Sequence, residues 1–415
     1  MYLSRIVLQN VRGFEEFEMV LPQSTDNHAS WAVILGDNGT GKTTLLRSIA
    51  MGLSGASGAS SLLSELYGEW LRTPGKPAII TLELQDSDAG RKTHKIVTTV
   101  DHSASGEYEI KQTNGKDAAL EEVFISGYGI GRGVSGTRAY ESYSPIDSLV
   151  SLFNYSAEQQ NPELILRRLR DHEGIKEQEL LRSVDQMLML SPGATKLGRS
   201  GITVSGPWGA DMTLGALGDG YQGTVTMFCD LLHWLFLYDD SVFAPGGELS
   251  GIVIIDQLEQ HLHPRWQRSI LRLLSNQFPF VQFIVTTHSP LCALGTADLQ
   301  DDNFQLMLLR QELGHGIQST ILPSFAGWRA DQVLTSDAFG LLTSRSAETE
   351  QRLLRLRELD LKEERTAEEE KEYKSILASL ESEAPPAAES AMEQRVQKRI
   401  LQLLEEMNAK TDASK

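Results

Sequence analysis

The chain has 415 residues, a formal net charge of −18 and a hydrophobic content of 40%. A chain of that length buries a sizeable core and predicts two or three structural units, while the negative balance excludes general attraction to nucleic acid or anionic membrane without a local basic patch. Cys229 and Cys292 are the only cysteines and stand far apart in apolar settings, which excludes a disulfide frame or thiolate metal site and points to a reducing, cytoplasmic compartment.

In chain order, residues 3–11 alternate as a strand, so no signal peptide is expected, and Val11-Arg12-Gly13-Phe14 turns the chain into a second strand. Residues 31–35 read as a short buried strand and residues 45–51 as a helix. Between them, Gly36, Asp37, Asn38, Gly39, Thr40, Gly41, Lys42, Thr43 and Thr44 fit G-x-x-x-x-G-K-[ST], the loop that cradles phosphates. Its glycines let backbone N–H groups turn inward with no Cβ in the way, and the helix N-terminus behind them adds partial positive charge. The pattern predicts bound ATP or GTP, with Lys42 reaching the β- and γ-phosphates and Thr43 on Mg²⁺.

Residues 56–61 are small and polar and read as a surface connection. Runs at 78–84, 95–100, 108–111 and 123–126 predict an antiparallel β subdomain over about 76–130. Helical spacing takes over at 145–190, and this helical insertion closes in a glycine-rich passage at 193–220. Arg167, Arg168 and Arg170 on the insertion form a basic cluster, read either as contacts to a nucleic-acid backbone or as a solvated helix face. Gly218, Asp219 and Gly220 stand just ahead of a long apolar helix, whose N-terminus suits an anion. That helix holds the longest apolar run, 231–238, which is too short to cross a bilayer, so no membrane partner is expected.

Residues 251–255 form a continuous apolar run of the kind buried in a parallel sheet, ending on Asp256, where a carboxylate can hold the Mg²⁺ shell beside Thr43. A helix at 266–274 and a second buried strand at 281–286 follow, and the next residues set His288 where a γ-phosphate would sit. Residues 346–361 and 366–380 read as charged helices, the second opened by a capping box of Thr366 and Glu369. Pro385 and Pro386 separate them from a third helix at 388–408.

The order of these motifs is the phosphate loop, a long insertion, Leu217-Gly218-Asp219-Gly220-Tyr221, the strand ending on Asp256, the segment Glu259 to Pro264, and Thr286-Thr287-His288-Ser289-Pro290. In that order the sequence resembles the ABC-type ATPases of the RecF/SMC class, in the compact AAA_21 group, over about residues 1–310. The resemblance implies an α/β fold: a P-loop head with a mixed central sheet, an antiparallel β subdomain, a helical insertion and a C-terminal helical tail, with the head over 1–345 and the tail over 346–415. It implies ATP and Mg²⁺ as cofactors and two heads that sandwich two nucleotides. Gly218, Asp219 and Gly220 would then contact the γ-phosphate of the other copy, and His288 would be the switch histidine. The insertion lacks sustained heptads, so a compact head without a coiled-coil arm is expected.

Two positions depart from that family's pattern. Gly218 stands where ABC signatures usually carry Ser, which removes a hydroxyl and leaves the backbone amides. Gln257 follows Asp256 where the family carries Glu, and an amide cannot take a proton as general base, so hydrolysis is expected to be slow. An engineered exchange, a naturally slow switch and Glu259 as substitute base are three accounts of Gln257. Glu259, His261 and His263 alternate as metal ligands can, although Pro264 and the resemblance explain the stretch as a loop. No Q-loop glutamine is identifiable; residues 127–132 occupy its place, and Arg132 reads as a phosphate sensor or as part of a structural glycine turn.

Residues 327–346 and the charged helices resemble the C-terminal region of PtuA-like anti-phage ATPases of Septu and retron systems. That likeness implies an oligomeric scaffold with a separate HNH nuclease effector held by the tail. Each tail helix has an apolar face, at Leu353, Leu356 and Leu359, at Ile376, Leu377 and Leu380, and at Ile400, Leu401 and Leu404, fit for partner or self-association or for folding back on the head. The alternative is a RecF-like DNA-repair ATPase that binds duplex DNA directly.

Overall fold

The computed structural model describes residues 1–22, 30–86, 92–103, 105–114, 123–133, 139–199, 201–243, 250–299, 304–312, 316–341, 343, 346–362 and 365–383. Residues Met1–Gly340 form one compact unit and Leu341–Lys415 a second. The first opens with a hairpin of β1 (Tyr2–Val11) and β2 (Phe14–Val20), then β3 (Trp31–Gly36), α1 (Lys42–Leu53), α2 (Gly55–Ser64), β4 (Ala78–Gln85), β5 (Thr93–His102), β6 (Tyr108–Asn114) and β7 (Phe124–Tyr128). The insertion contributes α3 (Pro145–Leu149), α4 (Pro162–Arg170), α5 (Glu177–Met187), β8 (Thr195–Gly198), β9 (Gly201–Ser205) and β10 (Asp211–Thr213). The unit closes with α6 (Asp219–Tyr238), β11 (Gly251–Ile255), α7 (Pro264–Gln277), β12 (Val281–Thr286), α8 (Pro290–Gly295), β13 (Phe304–Glu312), β14 (Gly316–Leu322) and α9 (Ala330–Leu334).

The central sheet runs β14-β13-β3-β12-β11-β7 and is parallel except for β14, which folds back on β13. Both faces are covered, which is why β3 and β11, and β12 apart from Gln282 and Thr286, are apolar at successive positions. Val33, Leu35, Val253, Ile255 and Val285 join one core with Leu235 of α6 and Leu271 of α7. Their neighbours Ala32, Ile34, Ile252, Ile254 and Ile284 join the other, with Leu45 and Ile49 of α1 and Ile6 of β1. This period of two fixes the sheet's register and leaves the strand ends above it for polar work.

A second, antiparallel sheet runs β2-β1-β4-β5-β6. β7 was expected in it and instead pairs in parallel with β11, because its five residues are all buried and fit the covered central sheet. The stretch at 56–61 is helical rather than a connection: its small residues let Gly58 and Ala59 pack inward beside Leu62 and Leu63. The glycine-rich passage holds a small three-stranded sheet, β10-β9-β8, whose strands are too short to show in the sequence pattern.

Arg167, Arg168 and Arg170 are not set out as a phosphate-facing patch. Arg167 pairs with Glu163 and reaches Gly198 O, Arg168 donates to Tyr140 O, and Arg170 pairs with Asp171. No described helix is long and apolar enough to cross a membrane.

In the second unit, α10 (Ala347–Asp360) and α11 (Ala367–Glu383) pair through Arg355 with Glu372 and Arg352 with Ser379. Ser346 caps α10, and Thr366 and Glu369 form the expected capping box of α11. The expected third tail helix lies outside the described residues.

Candidate nucleotide-binding site

β3 stands inside the central sheet and ends at Gly36; α1 starts at Lys42, so the loop between them sits at the sheet's carboxyl edge. Gly36, Gly39 and Gly41 take φ values of 151°, 83° and 86°. A Cβ at Gly36 would meet Leu309 O at 2.6 Å, and one at Gly41 would meet the Phe14 ring at 2.7 Å. Thr40 Oγ1 closes the loop on Asp37 O at 2.8 Å. The first turn of α1 has no side-chain cap and no acidic residue, which leaves its N–H groups free for an anion. Lys42 lies over the loop, with Nζ donating to Gly36 O at 2.7 Å and Asp37 O at 2.8 Å. Burial lowers its pKa, and the nearby Asp256 and Asp37 carboxylates oppose that shift.

Asp256 follows β11, one strand further along the sheet than β12, and is 3% exposed. Its Oδ2 accepts from Thr43 Oγ1 at 2.7 Å and its Oδ1 from Thr286 Oγ1 at 2.5 Å. A hydroxyl and a carboxylate so placed are hard oxygen donors that one divalent cation can bridge. With uncapped amides and a lysine beside them, the residues present fit a nucleoside triphosphate with Mg²⁺.

After Asp256 the chain makes a tight turn in which Gln257 and His261 have φ of 51° and 62°. Left-handed backbone costs a residue with a Cβ about 1 kcal/mol, so neighbours must hold it. Gln257 N donates to Thr286 Oγ1 at 2.8 Å, Leu258 N to Thr286 O at 2.9 Å and Gln260 N to Gln257 O at 3.0 Å. The buried Arg132 guanidinium adds donors to Gln257 O at 2.9 Å, Gln260 O at 3.1 Å and Asp256 O at 3.4 Å. Burial lowers its pKa to about 10, against the pull of Glu259 and Asp256, so it is cationic at neutral pH. The phosphate-sensor reading of Arg132 therefore gives way to a structural one: its fork faces backbone carbonyls.

Glu259 is equally committed. Its Oε2 accepts from Thr287 Oγ1 at 2.6 Å and its Oε1 from His288 N at 2.7 Å, a clamp on the segment carrying His288 that leaves it poorly placed as a substitute base. His263 caps α7, accepting from Arg265 N at 3.3 Å, and no group of His, Cys, Asp and Glu gathers as a metal site among the described residues. His288 is half-buried; burial first, and then Lys42, hold its imidazole below the ordinary value and neutral at pH 7.

Gly218, Asp219 and Gly220 open α6, whose N-terminus also lacks a side-chain cap. Gly218 and Asp219 are exposed, and a Cβ at Gly218 would meet nothing within 4 Å. Gly220 instead backs onto the turn, where a Cβ would meet His261 O at 2.6 Å. The structure thus brings Lys42, Thr43, Asp256, Gln257 and His288 together and leaves the tip of α6 facing outward.

Comparison with known proteins supplies counterparts. The AAA_21 family, described as "AAA domain, putative AbiEii toxin, Type IV TA system", matches residues 222–293, and AAA_23, an AAA domain family, matches residues 5–183. A Septu protein PtuA from Bacillus mycoides is 25% identical over 356 residues, 82% of this chain and 45% of that protein. The chain is similar to PtuA and, in two separate stretches, to the AAA_23 and AAA_21 families. A Retron Vc95 probable ATPase from Vibrio cholerae is 37% identical over 83 residues, 20% of this chain and 16% of that protein. The chain spans less than half the length of the curated relatives it matches. The SMC head domain from Thermotoga maritima superposes with a TM-score of 0.44 at 14% identity, covering 78% of this chain and 100% of that one.

Two residues have roles that the sequence did not reveal. Thr286 supports both Asp256 and Gln257, and a threonine closing a buried strand beside an acidic strand end was the available signal. Arg132 was read as a phosphate sensor or as part of a structural glycine turn, and nothing in the sequence pointed to its carbonyl partners, which lie 124 to 128 positions away.

Proposed function

We propose that the chain binds Mg-ATP between the loop at 36–44 and Asp256, dimerises around it, and serves in the cytoplasm as an ATP-gated scaffold for a separate nuclease, of HNH type, in anti-phage defence. The observation that carries the reading is the Thr43–Asp256 pair at 2.7 Å, set beside an uncapped helix N-terminus with Lys42 laid across it. Lys42 would exchange its two backbone acceptors for phosphate oxygens, and Thr43 and Asp256 would hold the Mg²⁺. Bound Mg²⁺ supplies charge that offsets the charge developing on the phosphoryl oxygens. Gly218, Asp219 and Gly220 present free amides at an exposed helix tip, as a contact to the second copy's nucleotide requires.

Gln257 defines the expected rate. Its amide can orient a water but cannot take the water's proton, so ATP is held longer than it is hydrolysed. The full chain should form a dimer with Mg-ATP that persists for many minutes, and Gln257→Glu should raise ATP hydrolysis by about 10²–10⁴-fold and shorten the dimer's life. Unchanged hydrolysis in Gln257→Glu would show that a missing base is not what limits the reaction. The names of the Septu and retron relatives support the defence reading, and co-purification with a neighbouring nuclease tests it. Direct binding of duplex DNA is the competing reading, and the arginines that suggested it are engaged in the fold.

A further inference from the structure

The five residues after β11 are gripped from behind by a strap whose hold on them the sequence did not show. The strap is residues 127–132, and its two ends make different kinds of bond. At its start, Tyr128 O accepts from Asp256 N at 2.8 Å, while the Tyr128 hydroxyl donates to Asp230 Oδ2 at 3.0 Å. Asp230 belongs to α6, the helix whose tip carries Gly218 to Gly220; its other oxygen accepts from Gln160 N at 3.1 Å and Gln160 Nε2 at 3.0 Å. At its far end, Arg132 donates to the carbonyls of Asp256, Gln257 and Gln260.

Between these ends the strap has no freedom. A Cβ at Gly129 would lie 2.0 Å from Ser151 O, and one at Gly131 would lie 2.0 Å from Tyr155 O. Gly129 N also donates to Ser151 Oγ at 3.2 Å. The segment it presses on is itself tied to α1, because Arg47 Nε donates to Leu152 O at 2.6 Å. The strap therefore bears on three things at once: the segment at 151–155 that is tied to α1, the helix behind the exposed glycine tip, and the turn that carries Gln257.

We propose that Arg132 is a positioning residue for the reaction, fixing the left-handed turn at Gln257 so that this side chain faces the γ-phosphate, and that Tyr128 and Asp230 link that turn to the α6 tip engaged by a second copy. The inference rests on the nucleotide reading of the site. A guanidinium suits the task because its planar fork serves several carbonyls from one fixed position, which an ammonium on a flexible stem does not reproduce. Movement of α6 on engaging a partner would pull on Asp230, and Tyr128 would pass it to the residue that hydrogen-bonds Asp256.

The test uses the full chain carrying Gln257→Glu, with and without Arg132→Lys, Arg132→Met and Tyr128→Phe. Affinity for a fluorescent ATP analogue with Mg²⁺, turnover, and amide hydrogen exchange at 256–262 are read together. Arg132→Met should leave affinity within about 3-fold and lower kcat by about 10–100-fold, the cost of a nucleophile-orienting group held loosely. Exchange at 256–262 should speed up while the remaining head keeps its protection, and Arg132→Lys should recover only part of kcat. Tyr128→Phe should lower kcat by less, and only where ATP-dependent association occurs. Parent kcat together with parent exchange at 256–262 in Arg132→Met would overturn the proposal; should that variant fail to fold, the same result in Arg132→Lys overturns it. Should none of the proteins bind ATP, the nucleotide reading fails on its own, and the exchange data still decide whether Arg132 holds the turn.

Discussion

The loop between β3 and α1 reaches left-handed backbone at Gly36, Gly39 and Gly41, whereas the turn after β11 reaches it at Gln257 and His261. Both border the same candidate site, and each needs a backbone shape that ordinary residues avoid. The loop meets the requirement locally, with residues that lack a Cβ. The turn meets it at long range, through Thr286 from the next strand and Arg132 from the strap beyond β7. A glycine loop reaches its shape without backbone strain and is closed mainly by its own hydrogen bonds; a turn held by distant hydrogen bonds can respond when those elements shift. The difference suits a fixed phosphate cradle beside a turn whose alignment is conditional.

The largest effect that separates the two is expected at Gly41→Ala. The new Cβ would force left-handed backbone on a residue that disfavours it and would press on the Phe14 ring, costing about 3 kcal/mol of unfolding free energy by denaturant titration. A loss below about 1 kcal/mol would mean that the loop adapts and the contrast is weak. Next is Thr286→Val, which removes the acceptor of Gln257 N and the donor to Asp256 Oδ1; about 2 kcal/mol should be lost, with faster hydrogen exchange at 256–258. A protein as stable as the parent would show that the turn does not depend on the neighbouring strand. Gln257→Gly should move the other way, stabilising the head by about 0.5–1 kcal/mol as left-handed strain is relieved, read from the urea midpoint. Destabilisation there would place the strain elsewhere.

The smallest effect concerns His288. Burial and Lys42 depress its pKa, so it is the low-pH side of the profile that should change. Hydrolysis by the Gln257→Glu protein should stay flat as pH falls from about 8 to the ordinary histidine value of about 6.5 and decline only below it. A decline centred above neutrality would contradict the depressed value.

This contrast also explains what the sequence could show. The phosphate loop was legible because its chemistry sits in nine consecutive residues, and Asp256 because a strand covered on both faces reads as an unbroken apolar run. Helix α2 was hidden by the small residues that let it pack closely, and β8 to β10 by their shortness. β7 was recognisable as a strand but not as a member of the central sheet, since its partner β11 lies more than a hundred residues on. Arg132 was visible as a candidate with two readings open, sensor or structural turn, and its partners stayed hidden for the same reason: what it holds is distant in sequence.

Equilibrium titration of Mg-ATP into the full chain, beside Lys42→Ala and Asp256→Ala, tests the nucleotide site most directly. The account predicts saturable binding that requires Mg²⁺ in the parent and falls by about 10–100-fold in each variant, the worth of one lost charge-assisted contact. Binding that is equal in all three proteins, or absent from the parent, would contradict it.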